Sequence, residues 1–119
     1  MATTKLKINR GTTYKRTVTY KKDGVVTSLV GGDAYFTMKT TEFDSSVDDS
    51  TAIIKKDYLD LSGDDATNGI VVISIDPTDT NLLEPKEYYY DIKIKDPDGS
   101  LYKVDEGIIV LDGSPTNRA

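Results

Sequence analysis

From Tyr88 to Lys95 apolar and polar positions alternate without a break, with Tyr88, Tyr90, Ile92 and Ile94 on one side and Tyr89, Asp91, Lys93 and Lys95 on the other. A period of two is that of a strand buried on one face. The strand ends at Asp96-Pro97-Asp98-Gly99. Proline presets φ for the first central turn position, Asp98 suits the second, and Gly99 supplies the positive φ that returns the chain to a ladder as a bulge. The return arm runs from Leu101 to about Val104, and after Asp105 and Glu106 the chain resumes as Ile108-Ile109-Val110-Leu111. Gly107 within this run predicts a bulge or a close backbone approach.

The same reading applies to the rest of the chain. Lys5 to Arg10 forms a short first strand that stops at Gly11, and Thr13 to Lys21 a second one. In the second strand Arg16 falls on the apolar face, which implies either a partly covered face or a carboxylate partner. Lys22-Asp23-Gly24 followed by Val25-Val26 is a hairpin signal. Ala34 to Thr40 is a third long strand with Phe36 and Met38 turned inward, and Glu42 to Ser50 is too polar to be more than a solvated loop. Ile53-Ile54 begins a strand that ends by Asp57, with Tyr58 to Leu61 a further candidate, and Ser62 to Gly69 is a second polar loop. Ile70 to Ile75 is almost continuously apolar, as expected of a strand covered on both faces or packed in a sandwich. Asp76 as N-cap, Pro77 at the first helical position and Asp79 reaching back predict one short helix near residues 77–83, with Leu82 and Leu83 packed on the sheet. The sum is seven to nine short strands at roughly 8–12-residue spacing, the pattern of an all-β antiparallel sandwich. Residues 1–112 form one domain in this reading and residues 113–119 a flexible tail.

Composition narrows the function more than the fold. The 119 residues include no Cys and no His, so neither the commonest zinc ligand nor the commonest general base is present. A net charge of −5 disfavours nucleic acid, whose binding relies on Lys and Arg displacing counterions. The N-terminus has no apolar signal core, and no run approaches the roughly 20 residues of a membrane helix. We expect a soluble chain without a cleaved export signal.

Acidic loop residues, namely Asp44, Asp48 and Asp49, then Asp64 and Asp65, then Asp96 and Asp98, invite a calcium reading, but none has the alternating spacing and distal Glu that calcium loops use. Solvated loops and turn chemistry account for them. Eight Tyr residues suggest a stacking platform for sugars, with Tyr89 as the exposed candidate, although tyrosine is also an ordinary strand residue. No Gly-x-Ser-x-Gly is present, and without His or Cys the familiar triads cannot be built. The expectation is therefore a non-enzyme with no cofactor and no metal site, in which Tyr89, Lys93 and Arg10 are the candidates for contact with a partner.

The order of these features resembles a known family. The relevant segments are Ile8-Asn9-Arg10-Gly11-Thr12-Thr13, Asp23-Gly24, Leu29-Val30-Gly31, Ala34 to Lys39, Ile70 to Ile75, Pro77 to Leu83, Tyr88-Tyr89-Tyr90-Asp91-Ile92, Asp96 to Gly99 and Glu106-Gly107-Ile108. Together they are similar to the immunoglobulin-like β-sandwich domains of tailed-bacteriophage virion proteins, especially the N-terminal domain of phage baseplate upper proteins. The resemblance implies an immunoglobulin-like fold and a structural role at a baseplate, tail or neck. The implied partners are other virion proteins and further copies of this chain, and the location is the virion after a soluble stage in the host cytoplasm. A head decoration protein is the alternative within that setting. A carbohydrate-binding module that meets a host glycan is the alternative from a different class.

Overall fold

The computed structural model describes residues 4–40 and 52–113. The loop expected from Glu42 to Ser50 lies outside the described residues, as do residues 114–119 of the expected tail. Nine strands and two short helices follow one another in the order β1 Thr4–Asn9, β2 Tyr14–Thr19, β3 Lys21–Lys22, β4 Val25–Val26, β5 Asp33–Lys39, β6 Ile54–Tyr58, α1 Gly63–Thr67, β7 Ile70–Ile75, α2 Pro77–Thr80, β8 Glu87–Lys95 and β9 Leu101–Asp112 among the described residues.

A five-stranded sheet has the order β1-β9-β8-β5-β6, while β2 pairs with β7 and β3 with β4 in two small ribbons. The alternation in β5 and β8 translates directly into burial. Ala34, Phe36 and Met38 of β5 and Tyr88, Tyr90, Ile92 and Ile94 of β8 are all buried, while the residues between them are half-exposed. Val18 of β2 and Val71, Ile73 and Ile75 of β7 join these side chains in one apolar cluster, with Ile8, Ile109 and Leu111 at its β1–β9 end. Each fully buried side chain of this size stabilises the fold by roughly 1.5–3 kcal/mol. The cluster therefore holds the five-stranded sheet and the β2–β7 ribbon together.

The hairpins obey their turn chemistry. Between β3 and β4, Asp23 (φ 53°) and Gly24 (φ 79°) both take positive φ, which is the type I′ geometry that matches strand twist. Between β8 and β9, Gly99 (φ 98°) closes the turn, donating its N–H to the Asp96 carbonyl at 2.9 Å, while the Asp96 N–H reaches the Ser100 carbonyl at 2.9 Å.

Several expectations need correction. The sheet is mixed rather than antiparallel, because β1 runs parallel to β9, Thr4 beside Gly107 through Asn9 beside Asp112. The segment expected as a second polar loop contains α1. Asp64 and Asp65 sit in its first turn, where carboxylates suit the helix dipole, and Ala66 is its one buried residue. The helix after Asp76 is shorter than expected, ending at Thr80. Of the two leucines that follow, Leu83 packs on the core, but Leu82 is 92% exposed. Tyr58 ends β6, and no strand follows it before α1.

The bulge in β9 is not at Gly107, which lies opposite Tyr90 in regular register. It is at Val104. Ile92 faces Asp105 and Lys93 faces Lys103, so Val104 is the extra residue. Because the strand period is two, that single insertion changes which residues point inward. Tyr102, which is paired with Ile94, and Asp105, Ile109 and Leu111 can then all share the inner face.

Candidate interaction surface

Tyr89 and Lys93 lie on the outer face of β8, the middle strand of the five-stranded sheet, and are half-buried by their neighbours. The register sets those neighbours. Tyr89 lies between Lys39 of β5 and Ile108 of β9, Asp91 between Thr37 and Glu106, Lys93 between Tyr35 and Lys103, and Lys95 between Asp33 and Leu101. On β6, Lys55 continues the row of Asp91 and Thr37, and Asp57 continues the row of Lys93 and Tyr35. The outer face is thus mostly polar, with one acidic and one basic row side by side on β8 and β9. Lys103 Nζ spans the two rows to Glu106 Oε2 at 3.1 Å, with both side chains about half exposed.

Arg10 does not join them. It follows β1, its N–H bonded to the Asp112 carbonyl at 2.8 Å and its Nη1 3.4 Å from the Leu83 carbonyl. Its Nε is buried without a hydrogen-bond partner. Arg10 is therefore held between the β1–β9 edge and the segment after α2, and serves the fold there. Nearby, the Gly11 N–H donates to Thr80 Oγ1 at 2.9 Å.

Two polar clusters were invisible as clusters in the sequence. Arg16 has the carboxylate partner that its place on an apolar face required, since Asp105 Oδ2 accepts from Nε at 3.0 Å and lies 2.9 Å from Nη2. The same oxygen accepts the Tyr90 hydroxyl at 3.0 Å. Burial, followed by the charge and hydrogen bond of Asp105, pushes the Tyr90 phenol well above its ordinary value. Burial opposes the Arg16 charge, but the bond to Asp105 and its charge outweigh this and raise the Arg16 pKa. The residue that assembles the cluster, Asp105, carries no motif; only its place one residue beyond the bulge turns it inward.

At the opposite end of the β8–β9 hairpin, buried Asp96 accepts the Tyr20 hydroxyl at 3.2 Å and the N–H groups of Asp98 and Ser100 at 3.2 and 3.1 Å. Lys22 Nζ stands 4.0 Å from the same carboxylate. Burial, then the hydrogen bond and charge of Asp96, pushes the Tyr20 pKa up to about 12. The side-chain interaction with Asp96, followed by bonds to Ser100, lowers that of Asp98. The turn carboxylates are thus bound up in the turn itself. At the start of β8 the Tyr88 hydroxyl donates to the Glu84 carbonyl at 2.7 Å.

Among the described residues no three His, Cys, Asp or Glu side chains are grouped as metal ligands. Among them, too, no helix is long and apolar enough to cross a membrane. No protein-family model and no curated protein matches this chain.

Proposed function

We propose that the chain is an immunoglobulin-like sandwich domain acting as a non-enzymatic structural component of a tailed-phage virion, at the baseplate, tail or neck or as a head decoration, through assembly contacts. The observation that carries the fold is the Tyr88 hydroxyl bound to the carbonyl four residues upstream, at the corner where the chain leaves β7 and enters β8. A tyrosine at the start of strand F that bonds back to the E–F corner is a hallmark of immunoglobulin-type sandwiches.

Strand order supports the same reading. The run β9-β8-β5-β6 corresponds to strands G-F-C-C′ of a variable-type domain, and the pair β2-β7 to the neighbours B and E. β1 departs from the plan of a constant-type domain by lying beside β9 instead of β2. No disulfide joins β2 to β8 in a chain without cysteine; apolar packing and the Arg16–Asp105–Tyr90 cluster link the two layers instead.

The virion role draws on the motif order from Ile8 to Ile108 and on the mostly polar outer face that carries Tyr89 and Lys93. Electron microscopy of purified particles combined with mass spectrometry tests it, with the chain expected at a fixed copy number per particle. Its absence from mature particles would remove the virion role. Binding to a host polysaccharide, lost in Tyr89→Ala, would favour the glycan-binding alternative.

A further inference from the structure

Asn68 and Gly69 form the single Asn-Gly pair in the chain. Such a pair is prone to attack on itself, because glycine brings its backbone nitrogen to the preceding side-chain amide with no Cβ in the way. In that reaction the Gly69 nitrogen bonds to Cγ of Asn68, the Cγ–Nδ2 bond breaks, and the nitrogen's proton leaves with the amide group as ammonia. Water then opens the five-membered imide at either carbonyl and leaves aspartate or isoaspartate at position 68. Asn68 is exposed, so water and hydroxide reach it.

In the fold both reacting groups are occupied. Asn68 is the C-cap of α1, and its side-chain Nδ2 donates to the Asp64 carbonyl at 3.0 Å. The Gly69 N–H donates to the Ala66 carbonyl at 3.0 Å. The ψ of Asn68 is 11°, which turns the Gly69 nitrogen away from the Asn68 side chain. Ring closure requires rotation about that bond, and Gly69 is not free to follow. Its carbonyl accepts the Tyr20 N–H at 2.7 Å, and its α-carbon is set close against the carbonyls of Thr27 and Tyr20.

This protection depends on α1, a weak element. It has five residues, of which Ala66 alone is buried, no side-chain hydrogen bond from Ser62 at its N-cap, and no basic residue in its last turn. A helix this short does not stand without tertiary contacts. The Leu29 N–H, bonded to the same Ala66 carbonyl at 2.7 Å, supplies one. Segments with so few buried contacts open before the whole molecule unfolds.

We propose that Asn68 is a latent modification site, silent while α1 is folded and converted to isoaspartate or aspartate when α1 opens. The product does not fit the closed junction. Isoaspartate inserts an extra backbone carbon next to Gly69, whose surroundings do not admit even a Cβ. Either product also places a carboxylate at the C-terminal end of α1, where the helix dipole disfavours it. One excursion of α1 thus becomes permanent, whatever assembly the chain serves.

Peptide mapping by mass spectrometry of the full chain, held at mildly alkaline pH in native buffer and in denaturant, tests the proposal. Conversion of the peptide spanning Asn68 and Gly69 is expected to run at least about tenfold faster in denaturant. In native buffer Ala66→Gly, which alters neither reacting residue, is expected to speed it about threefold or more. Arg16→Met, which weakens the molecule away from α1, is expected to leave the native rate unchanged. The converted chain, returned to native buffer, is expected to unfold at a lower denaturant concentration than the unconverted one. Equal rates in native buffer and denaturant overturn the protection by the fold. Arg16→Met accelerating conversion as much as Ala66→Gly overturns the part assigned to α1, and an unchanged midpoint after conversion overturns the misfit of the product.

Discussion

One oxygen of Asp105 receives both the Arg16 guanidinium and the Tyr90 hydroxyl, and the Asp105 side chain is only 14% exposed. Removing that acceptor leaves a partly buried cation and a phenol without a partner, which is more damaging than removing either donor. Asp105→Ala is expected to lower stability by about 2–3 kcal/mol, with Arg16→Met and Tyr90→Phe each lowering it less, as read from chemical denaturation. A second residue-scale consequence concerns alkaline pH. The folded-state pKa of Tyr20, about 12, lies above the ordinary value of 10, so the fold favours the neutral phenol. Its contribution is complete below about pH 10 and lost as the pH rises through the folded value. Tyr90, Tyr35 and Tyr88 are shifted the same way, each chiefly by burial. Stability is expected to fall across this alkaline range together with the rise in tyrosinate absorbance, and Tyr20→Phe is expected to make the decline shallower.

Among the elements, the junction of α1 and β7 leaves no room for a side chain at Gly69. Gly69 has φ 71°, and a Cβ there would stand 2.5 Å from the Thr27 carbonyl oxygen and 3.0 Å from that of Tyr20. Gly69→Ala is expected to lower stability by about 2–4 kcal/mol. Gly24→Ala, at φ 79° but in open space, should lower it by only about 1 kcal/mol. Denaturation midpoints of the two variants separate conformational strain from backbone collision. The period-two runs from Ala34 and from Tyr88, and the turns at Asp23-Gly24 and Asp96 to Gly99, were legible because local spacing and turn residues determine them. The parallel partner of β1 was not, since alternation shows which face a strand buries and not which strand lies beside it. α1 escaped notice because five largely polar residues with one buried alanine have too little apolar periodicity to signal a helix. Gly107 carries the usual signature of a bulge or a close backbone approach, whereas the bulge at Val104 is visible only in the pairing with β8. Of the candidate contacts, Tyr89 and Lys93 could be placed on one outer face from their spacing alone. Arg10 could not be placed, because its surroundings come from α2 and β9, distant in sequence.

For the whole molecule, β1 covers the outer edge of β9 and adds Ile8 to the core. Its outward lysines, Lys5 and Lys7, pair with Glu87 and Asp112 at 3.9 and 3.2 Å and discourage further strands from adding there. A chain lacking residues 1–9 is expected to be less stable and to aggregate as the edge of β9 is uncovered, which light scattering during thermal unfolding would register. A chain that keeps its fold and remains monodisperse without β1 would contradict this view of the edge. The parallel course of β1 and β9 has another consequence. Thr4 lies level with Gly107, while the chain leaves past Asp112 at the other end of the same pair. Tension applied between the two ends therefore pulls the strands lengthwise past each other and loads the ladder bonds together in shear, instead of opening them one at a time. A domain wired in this way resists being drawn out by its ends, a mechanical property useful to any assembly that is pulled.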